Sequence, residues 1–196
     1  VRAAAQRPDT PWRPTGTVLV TGGPEGFAGH VARWLAANGA TGVLLAVRGE
    51  ADAHALDALR AELTDLETEF TAVVHDPADP SALTGAVDAL PDGRPLTAVI
   101  HTGDDAAPAE DADALLAAVR RDLDALDTAV GDRNLDAFVV FGSISGIWGV
   151  SGQGAGAAAG AYLDAVTQER RAGGGTAVVV SWGAWAGAAP DGLAAH

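Results

Sequence analysis

Six short apolar runs punctuate the chain, and a segment with helical spacing follows each of the first five. The runs are Thr17–Thr21, Val43–Val47, Phe70–His75, Leu96–His101, Phe138–Phe141 and Ala177–Ser181. Their unbroken hydrophobicity suits strands buried on both faces of a parallel sheet. After the first run, Gly22 to Gly29 read as a turn. Val31, Trp34 and Leu35 then recur at helical spacing until Asn38-Gly39 ends the helix. Further helices are predicted over about 51–64, near 80–90 behind Pro80, around 109–130 and over about 154–172. Strands alternating with helices in this way predict an α/β fold, a doubly wound parallel sheet with right-handed crossovers. No other internal repeat is present. Residues 1–16, polar and carrying Pro8, Pro11 and Pro14, read as an entry linker. Ligands of such a sheet lie outside the carboxyl ends of its strands. Chemistry is therefore expected in segments 22–29, 47–50, 75–77, 101–105 and 142–153.

Composition narrows the options. A chain of 196 residues suits one domain with one sizeable core. It has no cysteine, which excludes disulfides, thiolate metal ligands and cysteine nucleophiles. A formal net charge of −14 opposes binding to nucleic acid or an anionic membrane surface. No apolar run reaches the roughly 18–20 residues that span a bilayer. Residues 1–8 lack the apolar core of a signal peptide, so a cytoplasmic location is expected. The five histidines (30, 54, 75, 101 and 196) show no metal-ligand spacing, and no metal site is expected. The acidic cluster Glu110-Asp111-Asp113 reads as a solvated face at a helix start. The chain has no methionine, so it is expected to be a piece of a longer polypeptide. All 12 basic residues are arginine, and Tyr162 is the one tyrosine.

Five ordered blocks carry a resemblance. They are 12–23 (WRPTGTVLVTGG), 135–143 (LDAFVVFGS), 149–154 (GVSGQG), 161–165 (AYLDA) and 181–187 (SWGAWAG). Together they resemble the ketoreductase domain of a modular type I polyketide synthase, within the short-chain dehydrogenase/reductase superfamily. The resemblance runs from about residue 12 to 187. It implies a Rossmann-like catalytic half over 17–187, with 1–16 leading in from a preceding structural half and 188–196 beginning a lid or linker. Its implied partners are neighbouring synthase domains and the acyl carrier protein.

Reducing a ketone needs a proton donor for the developing alkoxide, and donors that stabilise it, beside the hydride source. The family uses a tyrosine as acid, a lysine that lowers its pKa, a serine that orients the carbonyl and an asparagine that orders the site. Ser143 occupies the serine position just past a strand. Thirteen residues on, the tyrosine slot holds Gly156, and four beyond that the asparagine slot holds Gly160. Asp122 in the helix around Arg120-Arg121-Asp122 stands in the lysine slot. Arginine does not simply replace lysine, because its reach and geometry differ. Tyr162 lies six residues past the tyrosine slot, about 240° around a helix of ~3.6 residues per turn. It is expected to be a packed core residue. Trp148 falls eight residues before that slot, where one stereochemical class of the family carries tryptophan; packing is the plainer expectation for it.

The family's cofactor loop is rich in glycines that let backbone N–H groups approach a pyrophosphate at a helix start. Here Gly22 and Gly26 are kept. Pro24 removes an N–H, Glu25 adds a negative charge, and Ala28 adds a methyl at a close-packing position. Asp104 is expected near the cofactor trough. Arg48 and Asp76 match the residues that meet the 2′-phosphate and the adenine, so any residual cofactor would be NADPH, and none is expected to bind well. The resemblance with these departures implies a redox-inactive ketoreductase domain, kept for structural support, that leaves a β-keto group unreduced. The alternative is an epimerase of the α-methyl group of a carrier-bound β-ketoacyl thioester.

Overall fold

The computed structural model describes residues 12–49, 51–103, 112–149 and 154–183. Six strands form one parallel sheet: β1 (Thr17–Thr21), β2 (Gly42–Val47), β3 (Glu69–Val74), β4 (Leu96–His101), β5 (Ala137–Ser143) and β6 (Val178–Trp182). Their order is β3-β2-β1-β4-β5-β6, so the chain reverses direction across the sheet between β1 and β4. The helices are α1 (Phe27–Ala37), α2 (Ala53–Asp65), α3 (Ser81–Asp88), α4 (Ala112–Val130), α5 (Ser145–Trp148) and α6 (Gly154–Ala172). The expected doubly wound α/β sheet is the observed one.

Alternation along β1 divides the core. Val18 and Val20 face α1 and α2, meeting Ala32, Leu35, Leu59 and Leu63. Leu19 points the other way, toward Leu83 of α3, Leu123 and Leu126 of α4 and Leu163 of α6. Every residue of β1 and β2 is buried, whereas the edge strands β3 and β6 carry exposed positions. This is why the central strands read as continuous apolar runs.

Most element limits from sequence agree to within one or two residues, the usual scatter at frayed ends; the turn read over Gly22 to Gly29 is shorter than expected, because α1 already begins at Phe27. The expected start of α4 at residue 109 lies outside the described residues. The single-turn α5 has no periodicity to betray it and was not foreseen. Trp34, one of the residues whose spacing marks α1, is 49% exposed. Small residues Ala28, Ala32 and Ala36 take α1 close to the sheet, while Trp34 stacks on Trp12 with centroids 6.3 Å apart. Residues 12–16, read above as the end of a linker, attach to the body. Pro14 is buried, and the Gly16 carbonyl accepts N–H bonds from Thr41 and Gly42, each 3.0 Å. No helix among the described residues is long and apolar enough to cross a membrane.

Leu126 is fully buried between α4 and the sheet. Leu126→Ala is expected to lower the unfolding free energy by about 2–5 kcal/mol, read as a lower urea midpoint.

Candidate functional site

The parallel strands all end on one side, and there their carboxyl ends surround a cavity of about 330 Å³. Thr21 and Gly22 reach it from β1, Ala46 and Arg48 from β2, His75 from β3, and His101, Thr102 and Gly103 from β4. Phe141, Gly142 and Ser143 line it from β5 and Trp182 from β6, while Asp122 of α4 and Gly156 of α6 close the opposite wall. An aromatic row makes one side apolar. Phe27 meets Phe141 edge-on at 6.4 Å, and Phe141 meets Trp182 edge-on at 5.3 Å.

The polar side is organised around one ion pair. Nη2 of Arg48 donates to Oδ2 of Asp122, whose side chain is only 7% exposed. Oδ1 of Asp122 is buried and meets no hydrogen-bond donor among the described residues; Nδ1 of His75 is likewise buried and unpartnered there. Burial pushes the Asp122 carboxyl above its ordinary value, against the pull of Arg48 and Arg121. Burial lowers the His75 imidazole, Arg48 lowers it further, and Asp76 opposes both. Nδ1 of His101 shares a 2.7 Å hydrogen bond with the Thr21 hydroxyl.

The other candidate residues stand apart from the cavity wall. Gly26 is the N-cap of α1, with no side-chain cap. Its N–H donates to the Gly23 carbonyl at 3.1 Å, and the Gly22 N–H donates to Ala46 at 3.0 Å. A Cβ on Gly29 would stand 1.9 Å from the Pro24 carbonyl oxygen, so the helix start is pressed against the loop. Asp76 is exposed, and its Oδ1 accepts the Ala78 N–H at 2.8 Å. Gly160 lies on the backbone of α5: a Cβ there would stand 3.0 Å from the Gly146 Cα. Tyr162 packs, partly buried, against the core between α4 and α6, as expected. Trp148 corrects an expectation, being 78% exposed rather than packed, because the one-turn α5 meets α6 through glycine backbone and leaves the ring in solvent. Asp104, Glu110 and Asp111 lie outside the described residues, as do positions 150–153.

His75 and His101 line the cavity from segments 75–77 and 101–105, where chemistry is expected, although no metal-ligand spacing marked them individually. Their signal was positional, each standing at the carboxyl end of a strand. No group of three or more histidines and carboxylates among the described residues could hold a metal ion.

Residues 16–187 match the KR domain family. The chain belongs to that family. It is 43% identical over 189 residues to pikromycin polyketide synthase component PikAIII of Streptomyces venezuelae, covering 93% of this chain and 12% of that protein. It is 47% identical over 182 residues to polyketide synthase GfsB of Streptomyces halstedii, covering 89% of this chain and 3% of that protein. The KR domain thus spans a small part of the multidomain synthases it resembles. Among solved structures it is similar to A-type ketoreductases from a modular polyketide synthase, with a TM-score of 0.79 and 43% identity over 93% of this chain and 41% of theirs. A C2-type ketoreductase from a modular polyketide synthase also has a TM-score of 0.79, with 33% identity over 99% of this chain and 44% of its own. The Rossmann-like fold of the superfamily is therefore this KR domain's fold.

Burial first, then Arg48 and His75, lower His101 from 6.5 to about 4. The unfolded chain takes up a proton there as pH falls through 6.5, and the folded chain does not until about 4, so stability is lost across that window. His101→Gln is expected to flatten the fall of the urea midpoint between pH 6.5 and about 4.

Proposed function

We propose that this chain is a redox-inactive KR domain, kept for structural support inside a polyketide synthase module, which leaves the β-keto group of a carrier-bound chain unreduced. The observation that carries this reading is the wall facing Ser143. Gly156 and Asp122 line it, where reduction needs a phenol and an ammonium. The KR domain has no lysine, and its one tyrosine, Tyr162, packs between α4 and α6. A serine hydroxyl alone is too weak an acid to protonate an alkoxide efficiently. The neighbouring domains and the acyl carrier protein are the partners this role requires.

The residues present do not fit NADPH, the family's cofactor. Its diphosphate needs backbone N–H groups at the start of α1, and Pro24 has none to give. The Gly22 and Gly26 N–H groups are already spent on Ala46 and Gly23. Glu25 stands exposed beside them with an opposing charge. Arg48, the cation suited to a 2′-phosphate, is paired with Asp122.

One observation favours a second, cofactor-free reading as an α-methyl epimerase. Asp122 and Ser143 line the same cavity, and burial raises the Asp122 carboxyl above its ordinary value, which makes its carboxylate a stronger base. In that chemistry the α C–H bond breaks, its proton passes to the carboxylate, and the Ser143 hydroxyl donates to the enolate oxygen. The carboxyl then loses that proton to solvent, and a proton from water is delivered to the opposite face of the α-carbon, which re-forms the C–H bond and the ketone.

Deuterium exchange separates the two. The full chain is mixed with an α-deuterated 2-methyl-3-ketoacyl thioester on its carrier protein, with and without NADPH, and mass is followed. The structural role predicts no washout above buffer and no NADPH consumption. Washout that Asp122→Asn abolishes would instead establish the epimerase, and NADPH-dependent alcohol would overturn both readings.

A further inference from the structure

We propose that the Arg48–Asp122 ion pair is a latch built across the dinucleotide trough, one that a nicotinamide dinucleotide phosphate must break to enter. The proposal rests on the reading that the trough, as arranged, does not accept NADPH, and it identifies which contact closes it.

The placement comes from the sheet. Arg48 follows β2, and β1 separates β2 from β4. The ligand crevice of such a fold opens at the switch between β1 and β4, outside their carboxyl ends. Asp122 belongs to α4, whose neighbours Leu123 and Leu126 pack on the face that Leu19 of β1 and Val99 of β4 share. To reach Asp122, the Arg48 side chain turns inward over these strand ends. The influence of its charge on both His75 and His101, which end β3 and β4, agrees with that path. Thr21 and Gly22, which end β1, line the same cavity as both members of the pair.

The charges explain why the latch holds. A cation at position 122 would repel the guanidinium and leave it turned outward; a carboxylate draws it in. Asp122 is nearly buried, and its second oxygen has no partner among the described residues, so the bond to Arg48 is its main compensation. A phosphate that captures Arg48 strands this carboxyl in a poorly solvated pocket. The cost therefore falls on the ligand, even though Arg48 itself, 33% exposed, can be hydrated. Removing the carboxylate leaves the arginine solvated and free, which is why the informative variants are at 122.

The test is calorimetric titration of the full chain with NADPH and, separately, with NADH, which lacks the 2′-phosphate. Asp122→Asn keeps the shape and removes the charge; Asp122→Ser removes the charge with a smaller side chain, should the amide fold poorly. Either variant is expected to bind NADPH about tenfold to a hundredfold tighter than the parent chain, the range of a recovered charge-assisted hydrogen bond. NADH is expected to gain less, and adding Arg48→Ala is expected to erase the NADPH gain. The latch is refuted if folded Asn and Ser variants, judged by circular dichroism and Tm, bind NADPH no better than the parent. Equal gains for NADH and NADPH would refute it too, because a freed guanidinium would not then be the cause. Tight binding of NADPH by the parent chain overturns the latch, while the redox-inactive reading is decided separately by whether ketone is turned over.

Discussion

Strand β1 has no exposed face and no free edge. It is paired with β2 on one side and β4 on the other, in register along its whole length apart from one irregularity at its start. Helices cover it above and below, so each of its side chains must be apolar or satisfied, and each backbone group must find a partner in the sheet. The rest of the molecule is arranged to meet that demand. Because all six strands run the same way, their carboxyl ends gather whatever follows them into one place. The cavity is thus a by-product of sheet packing, and it persists whether or not the residues around it can carry out a reaction.

Within the cavity, a single sign of charge decides the character of the polar wall. Buried carboxylates are costly unless paired, and Asp122 draws its partner from the far side of β1. Burial first, and then the Arg48 charge, lowers both neighbouring imidazoles, so both disfavour a second positive charge beside the compensated cation. A surface that would otherwise attract anions is thereby made nearly indifferent to them. The acidic balance of the whole chain, −14, points in the same direction.

The fold was legible because its signal is repeated: six apolar runs, five helical segments and a glycine-rich turn all agree on one topology. Ser143, Gly22 and Arg48 fall in segments that the gathering of ligands at carboxyl ends singles out, whereas Gly156 and Asp122 join them through the slots the family resemblance assigns. What could not be read was direction. Sequence places Arg48 at the end of β2, but whether its side chain turns outward or inward depends on a charge 74 positions away. His75 and His101 carried no spacing signal, being 26 positions apart and at the ends of strands that β2 and β1 separate; only their place at carboxyl ends marked them. Trp148 misled because a large apolar residue is expected inside, whereas single exposed ones are ordinary on real surfaces. The four-residue α5 is too short for periodicity to speak at all.

The contact between Gly146 and Gly160 sets a limit on what position 160 can hold. Helices α5 and α6 meet there through glycine backbone, in the space where the family resemblance assigns an asparagine side chain. Any side chain at Gly160 would have to prise the two helices apart, and the chain would lose stability before that residue could take part in anything.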